Sequence, residues 1–102
     1  MRIIRKNLIP LKKHIRSLLA PQVIAVHLLI VPKRHIVSVI ELRTEDAVLI
    51  GKMILTAQRL AQEKGLSDDG FRLVFNAGKH SGQVVDHIHL HLLGGNILGD
   101  IG

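Results

Sequence analysis

Residues 86–93 read Asp-His-Ile-His-Leu-His-Leu-Leu, and this strict alternation of histidine with aliphatic residues leaves the backbone few options. Successive side chains of an extended chain point to opposite faces. A strand over residues 85–93 therefore puts His87, His89 and His91 on one face and sends Ile88, Leu90 and Leu92 into a core on the other. A helix would scatter both sets around its axis. The core behind this strand has to be aliphatic. Hydrophobic residues make up 47% of the chain, yet it has no Trp or Tyr, and its two phenylalanines are Phe71 and Phe75.

The remaining sequence divides into segments that suit a single domain over residues 1–102. Pro10 can open a helix over residues 10–19, with Leu11, Ile15, Leu18 and Leu19 on one face. Residues 23–31 are apolar and rich in β-branched side chains and stop at Pro32, as a buried strand would. Thr44 suits an N-cap, and Glu45 and Asp46 suit the first turn of a helix over residues 45–64. Ala47, Ile50, Met53, Ile54, Ala57, Leu60 and Ala61 follow at helical spacing, and Gly65 supplies the stop. Residues 71–76 alternate as a strand, and residues 77–82 form a glycine-containing loop before the histidine strand. Strand, helix, strand, loop, strand is the order of an α+β domain: a mainly antiparallel sheet covered by one long helix, with a short N-terminal helix.

Charge and cysteine content narrow the chemistry. The chain has no cysteine, so disulfides and thiolate metal sites are excluded, which suits a reducing cytoplasm. The formal net charge of +6 favours anionic partners. Arg2, Arg5, Lys6, Lys12, Lys13 and Arg16 crowd the first 16 residues without an acid among them. Lys12, Lys13, His14 and Arg16 interrupt any apolar stretch a secretory signal would need, and no apolar run reaches membrane-spanning length.

Three same-face imidazoles admit three readings: a half-exposed strand with incidental histidines, a metal site using ring nitrogens, or phosphate chemistry. In the last, one imidazole attacks phosphorus while its neighbours donate to the phosphoryl oxygens. The neighbouring residues favour phosphate. Ser81-Gly82-Gln83 precedes the histidines, and glycine there lets backbone N–H groups approach an anion. Asn76 ends the preceding strand within reach of the same site, and His27 in the first apolar strand is a candidate fourth imidazole.

His-Ile-His-Leu-His-Leu-Leu resembles the signature of the histidine-triad family, and the wider pattern is similar to its Hint branch. Residues 26–36, residues 71–78, Gly82-Gln83 and Leu93-Gly94-Gly95 resemble successive blocks of that branch, so the resemblance covers about residues 25–95. Ile3 to Pro10 faintly resembles the family's N-terminal helix.

The resemblance implies a nucleotide-binding hydrolase or transferase acting at the α-phosphate of nucleoside phosphoramidates or aminoacyl-adenylates. His89 would form the covalent nucleotidyl intermediate. His87 and His91 would bind phosphate oxygens or tune the nucleophile and leaving group, with His27 joining their hydrogen-bond network. Asn76 and the backbone of Gly82 and Gln83 correspond to phosphate-binding positions. The family usually has Ser or Thr at the next position, where this chain has Val84. The acid that grips the ribose in the family has no counterpart near Leu18 and Leu19. These departures leave open a catalytically weak, regulatory nucleotide-binding protein, and the histidines alone leave open a zinc-binding one. The resemblance further implies a purine nucleotide of the AMP or GMP type, no metal or other cofactor, no nucleic-acid or membrane partner, and a two-fold homodimer. Val48, Leu49 and Leu55 lie outside the main apolar stripe of the long helix, where a second subunit could meet them.

Overall fold

Four strands pair antiparallel in one sheet of order β1-β2-β4-β3: β1 is Arg2–Arg5, β2 Val26–Val31, β3 Phe71–Phe75 and β4 Leu90–Gly94. One long helix, α1, spans Ala47–Glu63. The computed structural model describes residues 1–5 and 26–95. The helix expected over residues 10–19 and the start of the strand expected from residue 23 lie outside the described residues.

The two faces of the sheet follow from register. Leu28 pairs with Leu92 and Ile30 with Leu90 across β2 and β4, while Leu73 and Phe75 flank the same two residues from β3. Partners directly opposite in a ladder share a face. Leu28, Ile30, Leu90 and Leu92 are buried there against Met53, Ala57 and Ala61 of α1 and against Leu66. Two alanines on the inward side of α1 let the helix approach the sheet closely, and Met53 fills the space beside them with no exposed surface. The core is aliphatic as expected, and Phe71 and Phe75 are only partly buried at its edge.

The other face carries His27, Leu29 and Val31 from β2, Arg72 and Val74 from β3, and His91 and Leu93 from β4. His27 pairs with Leu93, and Leu29 with His91, which brings the two imidazoles onto neighbouring strands on the face opposite α1.

Four expectations need correction. The resemblance likened Ile3 to Pro10 to a helix, but Arg2–Arg5 forms an edge strand on β2, with Ile3 opposite Ile30. The histidine strand was expected over residues 85–93, and its ladder begins only at Leu90. Beyond Ile30↔Leu90 and Phe75↔Leu90 the partners run out, because β2 reaches Pro32 and β3 gives way to Asn76. Thr44 is not the N-cap. A 3-10 turn over Thr44–Asp46 precedes the helix, and the Asp46 carboxylate accepts from the Arg43 N–H at 2.9 Å. The strand at Phe71–Phe75 is half-buried on both faces rather than cleanly alternating. The helix stop stands as expected, with Gly65 at φ 72°, a conformation that favours glycine.

Candidate active site

Ile88, Leu90 and Leu92 are buried, while His87, His89 and His91 are half-buried between them. The alternation of half-buried with buried residues persists although His87 and His89 precede the ladder. A contact from the turn after β2 replaces the sheet there: the Ile88 N–H donates to the Ile36 carbonyl at 2.6 Å.

Each imidazole is held in its own way. His27 Nε2 and His91 Nδ1 are 2.9 Å apart, so one donates to the other and the rings form a pair across β2 and β4. The His91 ring lies 4.9 Å from that of His89, centroid to centroid. His89 Nδ1 lies 2.8 Å from the His87 carbonyl oxygen. A carbonyl oxygen only accepts, so Nδ1 carries the proton and the lone pair of the neutral ring falls on Nε2. His87 Nε2 lies 2.8 Å from the Pro32 carbonyl oxygen, and by the same argument Nε2 is the protonated nitrogen. Thus His27, His91 and His89 are neighbours, while the His87 ring turns toward the turn that follows β2.

The loop between β3 and β4 closes on itself. Gly82 has φ 88°, where a side chain would strain the backbone, and it ends a 3-10 turn over Lys79–Ser81. The Gln83 amide donates to the carbonyls of Val37 and Val85 at 2.7 and 2.9 Å, and its Oε1 accepts from the Gly78 N–H at 2.8 Å. Its side chain therefore builds the loop and ties it to residues 32–37. Asn76 Nδ2 donates to the Ser81 carbonyl at 3.0 Å and fastens the end of β3 to the same loop. The Gly82 and Gln83 N–H groups make bonds within the loop of 3.1 and 3.3 Å, to Lys79 and Gly78. Those lie at the long end of the usual range. Val84 is 91% exposed.

His35, which the sequence did not single out, and Asp46, which it assigned to the first turn of the helix, shape this region. His35 meets His87 edge-to-face, with ring centroids 5.2 Å apart and planes at 87°. Asp46, buried at the start of α1, pairs with Arg34. The Arg43 N–H bond, followed by the charge and hydrogen bond of Arg34, holds its carboxyl below the usual aspartate value, although burial pushes the other way. A cleft of about 420 Å³ lies between this turn and the start of α1, lined by residues including Arg34, His35, Arg43 and Asp46. Among the described residues, no three His, Asp or Glu side chains are grouped to hold a metal ion, and no helix is long and apolar enough to cross a membrane.

Comparison with known proteins places this geometry in a family. A HIT domain matches residues 19–97. The purine nucleoside phosphoramidase of Escherichia coli (strain K12) is 44% identical over 73 residues, which are 72% of this chain and 61% of that protein. The chain thus spans less than two thirds of the length of that curated relative. A HIT family hydrolase from Legionella pneumophila superposes with a TM-score of 0.75 at 45% identity, covering 76% of this chain and 70% of the other. A histidine triad protein from Clostridium difficile gives a TM-score of 0.73 at 33% identity, covering 78% and 69%.

Proposed function

This chain belongs to the HIT domain family, and on that premise we propose that it is a nucleotide hydrolase or transferase acting at the α-phosphate of nucleoside phosphoramidates or aminoacyl-adenylates, through a nucleotidyl intermediate on His89. One observation carries the reading. His89 Nδ1 donates to the His87 carbonyl at 2.8 Å, so its neutral ring keeps the Nε2 lone pair for attack on phosphorus.

The steps follow from that atom. Nε2 forms a bond to the α-phosphorus as the bond to the leaving amine or carboxylate breaks, and the leaving group takes the electron pair. Water then attacks the nucleotidyl-histidine, releases the nucleotide and restores the imidazole. Splitting one displacement into two lowers the barrier of each. Negative charge on the phosphoryl oxygens needs donors. The His91 ring, bonded to His27, lies 4.9 Å from that of His89, and the Gly82-Gln83 backbone of the preceding loop offers N–H groups. Bonds to a charged acceptor are roughly twice as strong as neutral ones, so a phosphate would displace the long loop bonds of those two N–H groups.

The name of the Escherichia coli relative supports a purine nucleoside moiety. A homodimer through α1 and a sheet edge belongs to the same reading, supported by exposed Val48 and Leu55 on that helix, 69% and 63% accessible. Met53 is no probe of such an interface, since it is fully buried in the core; Leu55→Glu is the informative change, and light scattering reads the outcome. The weaker, binding-only role is favoured by Val84, which is exposed and has no hydroxyl to offer a leaving group.

Hydrolysis of an AMP phosphoramidate tests the function. The parent protein should release AMP, and His89→Ala should lower the rate about a thousandfold or more while still binding AMP. Equal rates in the two proteins would overturn the assignment, and AMP binding without turnover in the parent would favour the binding-only role.

A further inference from the structure

We propose that His35 is a positioning residue that acts through His87 on the tautomer and orientation of His89; the proposal rests on the reading of His89 as nucleophile. His87 and His89 lie before the ladder of β4, so no sheet partner fixes them. The turn after β2 does so instead. The Pro32 carbonyl accepts from the His87 ring, the Ile36 carbonyl accepts from the Ile88 N–H, and the Val37 carbonyl accepts from Gln83. Pro32 is fully buried, so the first of these anchors is rigid.

A single hydrogen bond still lets the His87 ring swing about the line from Nε2 to the Pro32 oxygen. The edge-to-face contact of His35, at 5.2 Å and 87°, blocks that swing. The ring contacts anchor His87 as a residue, and the carbonyl of that residue is the acceptor that holds the proton on His89 Nδ1. A loosened His87 weakens that bond, allows the tautomer with the proton on Nε2, and removes the lone pair from the attacking atom. His35 is exposed and is not part of the buried core under α1, so substituting it is expected to spare that packing.

The test compares His35→Ala, His35→Phe and His35→Gln by two readouts on the full chain. The first is nitrogen–proton correlation NMR of the imidazoles in ligand-free protein, with the melting temperature as a control for folding. The parent should show His89 protonated at Nδ1. His35→Ala and His35→Gln should shift population toward the Nε2-protonated form, and His35→Phe, which keeps an aromatic ring at that place, should restore the parent pattern. The second is turnover of an AMP phosphoramidate. His35→Ala should lower kcat about threefold to tenfold with KM unchanged, and His35→Phe should recover it to within about twofold. An unchanged His89 tautomer in His35→Ala overturns the proposal, as does rescue by Gln but not by Phe. If the tautomer responds as expected and no variant nor the parent turns over nucleotide, the positioning role stands and the proposed function falls.

Discussion

His91 and His89 are two residues apart, yet different parts of the molecule hold them. His91 sits inside the ladder, opposite Leu29 on one side and Val74 on the other, and its ring is bonded to His27 on the next strand. His89 sits just below the ladder, where the backbone is tied to a turn and the ring to a neighbouring carbonyl. The first half of the site inherits the rigidity of a central strand packed on α1. The second half depends on a few polar and ring contacts from residues 32–37. The difference teaches that the ladder fixes His91 and its partner His27, while the stretch before it takes its place from residues 32–37 and fixes His87 and His89.

The sharpest way to break this division is to damage the ladder. Leu92 has no exposed surface and lies in the core cluster. Leu92→Ala should cost roughly 2–5 kcal/mol of stability, read by urea denaturation. Protein that remains folded should keep its His89 tautomer; a tautomer change without loss of stability would erase the distinction between the halves. A smaller effect is expected from His27→Ala, which leaves His91 without its ring partner on β2. Removing one side of a half-buried hydrogen bond costs about 1–3 kcal/mol. Turnover should fall while the Pro32–His87 bond, followed by NMR, persists.

The smallest effect concerns the anchor of the turn itself. Asp46 has a carboxyl held below its unfolded value by the Arg43 N–H and by Arg34. Such a group binds more protons when unfolded. Its contribution to stability is therefore complete above the ordinary aspartate value and is lost as pH falls through the lower folded one. Asp46→Asn should lower stability at neutral pH, leave it nearly unchanged at acid pH, and so flatten the acid limb of a stability–pH curve. An acid limb identical to the parent's would show that Arg34 and Asp46 do not anchor the turn in solution.

Much of this arrangement is legible in the sequence, because hydrophobic spacing carries it. The stripe through Ile50, Met53, Ala57 and Ala61 marks α1, the stop at Gly65 needs its left-handed backbone, and β2 ends at a proline without an N–H. The alternation of Ile88, Leu90 and Leu92 with the histidines gives the correct faces. It does not give the start of the ladder, since strand pairing depends on how far β2 and β3 extend alongside, and Pro32 and Asn76 set that limit. The cap at Asp46 was hidden for a similar reason. Thr44 and Asp46 both suit a cap chemically, and in the fold it is Asp46 that accepts from the Arg43 N–H and pairs with Arg34, twelve residues away in the chain. His35 carries no local signal, because its partner His87 is brought to it only by the fold. The N-terminal strand was concealed by four residues that alternate only weakly, Arg2–Arg5.

The central claim is that Nε2 of His89 is the attacking atom because the His87 carbonyl holds the proton on Nδ1. Rapid acid-free quenching during a single turnover of an AMP phosphoramidate, followed by peptide mapping and phosphorus–nitrogen NMR of the adduct, tests it directly. The account predicts one nucleotidyl group, bonded to Nε2 of His89; an adduct on His87 or His91, or one bonded to Nδ1 of His89, would contradict it.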